Sequence, residues 1–213
     1  MKIGNLNIRP FVMVVPELPE RTEFIMPHLR ESGIEAEQFD CLLAQDPKTK
    51  EIGCGLRTMH NYEFDAPGSG WNIGPKGVAL LVSFQTFWRA ALYMPEDYFL
   101  FIEFDAKFHP NWKARTEQAL KDCPPDFDFL FLGSCCTDGK PKTHVKGDVY
   151  KMKSVMCNHA QIVAKKAIPT ILRTQRKFWA PWDIALANST FPHLQVYVIL
   201  PRCVDQFSTE IPP

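Results

Sequence analysis

The sequence predicts an α/β domain, because strand-like and helix-like segments alternate along most of its 213 residues. Residues 11–15, 22–32 and 34–39 have the patterns of a strand, a helix and a second strand. Such a β-α-β unit indicates parallel strands joined by a right-handed crossover. An apolar helix over 77–93 and a buried strand over 98–102 continue the alternation. We therefore expect a mostly parallel sheet flanked by helices.

The rest of the chain extends this pattern and fits a single domain spanning residues 1–213. Further helices are predicted over 111–121, 165–177 and 178–188, and further strands over 126–133, 156–163 and 195–200. Between residues 46 and 76 the chain has no periodicity and is rich in proline and glycine, so it is predicted to be a long irregular loop. Its aromatic residues Tyr62, Phe64 and Trp71 suggest that this loop packs on the domain.

The composition and the cysteine spacing argue against several classes of protein. The formal net charge is zero, so no global field attracts nucleic acid or an anionic membrane, and such a partner would need a local basic patch. The seven cysteines are scattered without zinc-type spacing, which favours buried free thiols over a disulfide framework. No signal-peptide pattern occurs over 1–15, and no segment has the length of a membrane span. These observations predict a cytoplasmic protein.

Two carboxylates follow the strand over 98–102 directly. Glu103 and Asp105 are two residues apart, so their side chains would share one face of an extended backbone. The carboxyl ends of strands in an open α/β sheet are where ligands bind. Carboxylate oxygens suit Mg²⁺ or Mn²⁺ carrying a nucleotide diphosphate, whereas the alternative is a strand that ends at the surface with solvated acids.

Several short motifs occur in an order that resembles a known family. They are Val-Val-Pro at 14–16, Pro-Glu-Arg at 19–21, the segments 33–39 and 77–84, Glu-Phe-Asp-Ala at 103–106, the strand at 128–133, the segment 158–167 and Pro-Trp-Asp at 181–183. This series is similar to that of family 25 glycosyltransferases, which include bacterial lipooligosaccharide glycosyltransferases and the collagen galactosyltransferase domain. The resemblance covers residues 11–208 approximately.

The resemblance implies a GT-A fold, a UDP-sugar as donor, Mn²⁺ or Mg²⁺ as cofactor and an inverting mechanism. Asp105 would then bind the metal, and Glu103 would support the metal or contact the donor. Asp183 would be the general base that takes the proton of the acceptor hydroxyl. An alternative for Asp183 is a structural role at the start of a helix.

Other candidate residues have weaker signals. Arg21 would meet the phosphates of the donor, or it is an exposed arginine in a turn. His159 would contact the metal or a phosphate, or it is a histidine of the core. Trp179 and Trp182 would stack on a sugar or a base, but two neighbouring aromatic residues are more often part of a core.

The chain departs from the family at three positions. Phe104 replaces the middle acid of the family's acidic motif, Phe84 replaces a histidine, and Gln161 replaces a tyrosine. These changes put metal dependence in doubt and leave open a non-catalytic module that binds a nucleotide sugar.

The acceptor has two alternatives. A saccharide or lipid-linked saccharide follows from the resemblance. A hydroxymethylated pyrimidine in phage-type DNA is the alternative, because a lysine-rich segment lies between two predicted strands. Its lysines are Lys140, Lys142, Lys146, Lys151 and Lys153, and the simpler interpretation is a solvated loop.

Overall fold

The computed structural model describes residues 1–16, 18–42, 75–135, 137, 140–176 and 180–207, with only the backbone described at 75 and 76. The predicted loop over 46–76 lies almost wholly outside these residues, as do its three aromatic side chains and Trp179. Only its last two residues are described, and they already belong to a helix.

A large mixed sheet forms the centre of the molecule. Its strands are β1 (Lys2–Ile3), β2 (Leu6–Val14), β3 (Glu37–Asp40), β4 (Tyr98–Ile102), β6 (Phe129–Cys135), β7 (Thr143–Lys146), β8 (Val149–Lys151), β9 (Met156–Ala164) and β10 (Val196–Ile199). A second sheet pairs β5 (Ala106–Phe108) with β11 (Val204–Gln206).

The order of the large sheet is β1-β2-β4-β9-β6-β10-β8-β7, and β3 also pairs with β2. Strands β3 and β4 are parallel to β2, and β10 is parallel to β6. Strand β9 lies antiparallel between β4 and β6, so these two strands run the same way. Six strands of the described sheet, β2, β3, β4, β6, β7 and β10, therefore share one direction. The predicted α/β class with a mostly parallel sheet is confirmed.

Helices cover both faces of this sheet. They are α1 (Pro19–Glu31), α2 (Pro75–Ala91), α3 (Trp112–Asp122), α4 (Ile168–Thr174) and α5 (Trp182–Ala185). Because side chains alternate along a strand, Phe99 and Phe101 of β4 pack with α2, α4 and α5, whereas Leu100 and Ile102 pack with α1 and α3. Strand β4 is buried on both faces, as its continuous apolar run predicts.

Some elements differ from the sequence prediction. Strand β4 ends at Ile102, and residues 103–105 form a turn before β5, so Glu103 and Asp105 do not lie on an extended strand. Helix α1 begins at Pro19, earlier than predicted, and contains Pro27. The lysine-rich segment forms the hairpin β7–β8 instead of a loop. The exposed strand β7 lacks a buried face, so its sequence has no apolar alternation to reveal it.

The prediction that the cysteines are free thiols is wrong for one pair. Cys135 and Cys157 form a disulfide, with their Cα atoms 5.4 Å apart. The pairing of β6 with β9 brings the end of one strand beside the start of the other, since Cys135 lies opposite Met156. A separation of 22 residues in the sequence does not show this proximity. Cys41, Cys123 and Cys203 are buried free thiols, as predicted.

The small β5–β11 sheet lies at the carboxyl end of β6. The Cys203 amide donates to the Leu132 carbonyl at 2.8 Å, and the Phe207 amide donates to the Asp105 carbonyl at 2.8 Å. A Cβ atom added at Gly133 would lie 2.3 Å from the Val204 carbonyl oxygen, so β11 approaches β6 closely at this glycine. Among the described residues, no helix is long and apolar enough to cross a membrane.

Candidate active site

Three candidate ligands, Glu103, Asp105 and His159, meet at the carboxyl end of β4. One ligand atom from each lies within 4.8 Å of those of the other two. The pairing of β4 with β9 produces this proximity, because Ile102 is opposite Ala160 and the Glu103 amide donates to the His159 carbonyl at 3.0 Å. The turn over 103–105 then brings Asp105 to the same point. The structure thus brings together the predicted metal ligands and His159.

Asp105 is buried, with 8% of its surface exposed. Its Oδ2 atom accepts a hydrogen bond of 2.5 Å from Nε2 of Gln206, but its Oδ1 atom is buried and has no partner. A buried carboxylate oxygen without a partner is costly, and such atoms in proteins commonly bind an ion or a water molecule. This oxygen is the strongest indication of a ligand at the cluster.

The surroundings of Glu103 disfavour the ionised form of its carboxyl group. Burial raises the pKa of the Glu103 carboxyl, and the nearby charges of Asp105 and Asp183 raise it further. His159 acts in the opposite direction through its Nδ1 atom, which lies 3.4 Å from Oε2 of Glu103. A divalent cation between the carboxylates would offset both the burial and the repulsion, so these residues fit a Mg²⁺ or Mn²⁺ site.

Asp183 lies in the first turn of α5, and its charge acts on Glu103. Its Oδ2 atom accepts the Cys157 amide at 3.0 Å, and its Oδ1 atom accepts the Ile184 amide at 2.9 Å. Cys157 has a positive φ of 58°, which is uncommon for a residue other than glycine. Asp183 therefore has the structural contacts of the simpler interpretation and is also near the carboxylate cluster.

Arg21 approaches the cluster from the first turn of α1. The guanidinium carbon of Arg21 lies 4.9 Å from the centre of the Phe104 ring, within the range of a cation–π contact. Its Nε atom is buried without a partner. Phe104 lies between Glu103 and Asp105 in the sequence, so the arginine contacts the turn that carries both carboxylates.

Two aromatic candidates belong to the core. Trp182 is 3% exposed and stacks on Phe84, with ring centres 4.4 Å apart and an angle of 4° between the ring planes. Phe84 is itself 1% exposed. The interpretation of Trp182 as a core residue is favoured over sugar stacking. Trp179 lies outside the described residues.

Sequence reasoning missed Gln206 and gave no role to Gln161. Gln206 lies on β11, in a segment that the sequence indicated only as a tail, and it binds Asp105 through a contact between residues 101 positions apart. Gln161 lies on β9, two residues beyond His159, and is completely buried with no partner for either amide atom. No local pattern in the sequence could have revealed either feature.

Most lysines of the lysine-rich segment have partners within the chain. The contacts are Lys140 with Ser154 at 3.2 Å, Lys142 over the Tyr150 ring at 5.9 Å, Lys146 with Asp122 at 2.7 Å and Lys151 with Gln195 at 2.6 Å. Lys153 is exposed. These contacts favour the interpretation of a solvated surface hairpin over a surface arranged for a DNA strand.

Comparisons with known proteins give structural likeness only. No family profile and no curated protein matches the chain. One similar solved structure is a glycosyltransferase involved in glycosylation of the major capsid of PBCV-1, at 12% identity and a TM-score of 0.49, covering 91% of this chain and 81% of that one. Another is the inositol-1-phosphate CTP transferase from T. maritima, at 13% identity and a TM-score of 0.49, covering 99% and 92%.

A third similar structure is HddC from Yersinia pseudotuberculosis, at 14% identity and a TM-score of 0.46, covering 96% of this chain and 95% of that one. The neighbours thus include a glycosyltransferase and a CTP transferase. Because each TM-score is below 0.5, these likenesses carry no argument about activity. Family 25 itself is not shown by them, so that resemblance stays a prediction.

Proposed function

We propose that the protein is a metal-assisted glycosyltransferase that moves a sugar from a UDP-sugar to a hydroxyl of a saccharide or lipid-linked saccharide. The observation that carries this proposal is the cluster of Glu103, Asp105 and His159 at the carboxyl end of β4. In α/β sheets this edge is the usual place for a ligand, and a buried carboxylate beside a partly buried one is stabilised there by a cation or a proton.

Asp105 and Glu103 would hold Mn²⁺ or Mg²⁺, with His159 as a further ligand, and the unpartnered Oδ1 of Asp105 supports this assignment. When bound, the metal would neutralise negative charge on the diphosphate that leaves the donor. Arg21 would contribute a second positive charge to the phosphates, since its guanidinium lies against Phe104 beside the cluster.

Asp183 is proposed as the general base of a single, inverting displacement. Its two carboxylate oxygens each accept one backbone amide, which fixes the orientation of the group. Each ionised carboxylate oxygen has a second lone pair, so Asp183 can also accept the proton of an acceptor hydroxyl. Transfer from the face opposite the diphosphate would then invert the anomeric centre.

Release of UDP tests the proposal. We would incubate the protein with a panel of UDP-sugars, Mn²⁺ or Mg²⁺, and saccharide acceptors or DNA that contains hydroxymethylated pyrimidines. Acceptor-dependent release that is lost with a chelator and in Asp105→Asn is expected. Asp126→Asn, which removes an exposed carboxylate away from the cluster, is the matched control and should keep activity.

The other outcomes separate the alternatives. Transfer only to DNA would support the DNA-modifying alternative and overturn the saccharide acceptor. No turnover with retained UDP binding would support the non-catalytic module that the replacements Phe104 and Phe84 leave open. Absence of both turnover and UDP binding would contradict the proposed function.

A further inference from the structure

A cavity of about 500 Å³ opens beside the carboxylate cluster. The polar residues that line it are Lys107, His109, His159, Arg202, Asp205 and Gln206. Cavities of this size bind small ligands or the head group of a larger one. The cavity lies between the β5–β11 sheet and His159 of β9, so it has regular strands on two sides.

The cavity is continuous with the proposed metal site. His159 belongs both to the cluster and to the cavity wall. Gln206, on the opposite wall, donates to Oδ2 of Asp105 at 2.5 Å. Lys107 follows Asp105 by two residues. A ligand in this cavity would therefore lie next to the atoms that are proposed to react.

The side chains around the cavity carry an excess of positive charge. Asp205 is the one acid among its described lining residues, against the two cations Lys107 and Arg202. Asp205 binds two of these groups at once, through Arg202 Nε at 2.5 Å and His109 Nε2 at 2.7 Å. These contacts hold the arginine and the imidazole at the rim.

Arg202 keeps donors for a ligand in this arrangement. Its Nη1 atom donates to the Ser134 carbonyl at 3.1 Å, and its Nε atom faces Asp205. Since a guanidinium has five N–H donors, others are available to a bound oxygen.

We propose that this cavity binds an anionic group of the acceptor, of the phosphate or carboxylate class. This inference rests on the proposed glycosyltransferase function and names its acceptor class: a compact anionic saccharide. The size of the cavity favours such a group over duplex DNA, which needs a row of cations along its backbone. Lys146 and Lys151 of the β7–β8 hairpin already contact Asp122 and Gln195 within the chain.

Titration with inorganic phosphate, followed by NMR, tests the site without any assumption about catalysis. We expect phosphate to shift the signals of His109, Lys107 and Arg202. Lys107→Gln should weaken phosphate binding roughly fivefold, because an exposed charged contact contributes modestly. Lys113→Gln removes an equivalent exposed charge outside the cavity and should bind phosphate like the unchanged protein. The absence of shifts at the cavity, or equal affinity in both variants, would overturn the proposal.

A second arm separates this inference from the proposed function. If UDP with Mn²⁺ fails to bind while phosphate still binds the cavity, the glycosyltransferase proposal fails and the anion site stands. If transfer is observed, matched acceptors with and without a phosphate group assign the role of the cavity. Lys107→Gln should raise the KM for the phosphorylated acceptor roughly fivefold and leave the KM for the donor unchanged. An equal change for both acceptors, or transfer to duplex DNA alone, would overturn the acceptor assignment.

Discussion

At the scale of single residues, the proposed metal site depends most on Asp105. One of its oxygens is bound by Gln206, and the other is buried without a partner. Glu103 and His159 contact each other at 3.4 Å, which is long for a strong hydrogen bond. A cation that bridges these groups would explain both the unpartnered oxygen and the loose contact.

The first prediction concerns Asp105→Asn, which keeps the shape of the side chain and removes its charge. We expect Mn²⁺ affinity to fall by about 100-fold or more, since even the loss of a group outside the ligand set costs 10- to 100-fold. Electron paramagnetic resonance of free Mn²⁺ measures the affinity. Asp126→Asn serves as the control, and a similar affinity in both variants would contradict the assignment of Asp105.

The second prediction concerns the pH dependence of stability without metal. The pKa of Glu103 is raised in the folded protein, so the folded state retains a proton that the unfolded chain releases near its ordinary value. Stability therefore decreases as pH rises from that ordinary value through the raised pKa. Glu103→Gln should remove this decrease and be more stable at neutral pH. Urea unfolding at several pH values with a chelator measures it, and a slope that is unchanged in the variant would refute the prediction.

The third prediction concerns the buried thiols. Burial raises the pKa of Cys41 and of Cys123 to about 12 and raises the pKa of Cys203 as well. At pH 8 a thiol with a pKa of 12 is ionised in about one molecule in ten thousand, so these residues should resist alkylation in the folded protein. Peptide mapping after treatment with iodoacetamide, with and without denaturant, checks this. Rapid labelling of Cys41 or Cys123 in native protein would show that they are accessible thiolates.

At the scale of elements, the close approach of β11 to β6 makes Gly133 sensitive to substitution. A Cβ atom there would lie 2.3 Å from the Val204 carbonyl oxygen and 2.8 Å from its Cβ. We expect Gly133→Ala to destabilise the protein by about 1–3 kcal/mol, because the backbone of β11 must shift. Urea unfolding measures the change.

The comparison variant for Gly133 is Gly33→Ala. Gly33 has a φ of 73° and no heavy atom within 4 Å of an added Cβ, so the cost there is backbone strain of about 1 kcal/mol alone. In addition, Gly133→Ala should reduce Mn²⁺ binding, since β11 carries Gln206, which holds Asp105. Gly33→Ala should not affect it. An undisturbed metal affinity in Gly133→Ala would show that β11 does not position Asp105.

The elements with strong local patterns could be predicted from the sequence. Strand β4 was found because its apolar run is buried on both faces, and α2 because its apolar residues recur at helical spacing. The turn over 103–105 was missed, because Glu-Phe-Asp has no glycine or proline to mark it. The β7–β8 hairpin was missed because its outer strand β7 is polar and lies at the sheet edge.

The sequence predicts several residues of the candidate site, but it does not predict most of the contacts between them. Glu103 and Asp105 follow a recognisable strand, but His159 joins them only because β9 is inserted antiparallel beside β4. Gln206 binds Asp105 across 101 residues, and Cys135 bonds to Cys157 across two strands. Contacts of this kind depend on strand order, which local sequence patterns do not determine.

At the scale of the whole molecule, distant segments converge at one edge of the sheet. Arg21 comes from α1, Glu103 from the end of β4, His159 from β9 and Asp183 from α5. The rest of the sheet serves mainly to hold these segments in register, since its core residues are buried on both faces. The proposed transfer reaction therefore requires one metal ion at the point where the segments meet, beside the cavity that is proposed for the acceptor.

The most direct test of this central claim is a crystal structure with Mn²⁺ and UDP, in which anomalous scattering locates the manganese. If the metal site is as proposed, we expect an anomalous manganese peak roughly 2 Å from a carboxylate oxygen of Asp105, with Glu103 and the diphosphate of UDP beside it. Bound UDP without a manganese peak at Asp105, or manganese bound elsewhere on the protein, would contradict it.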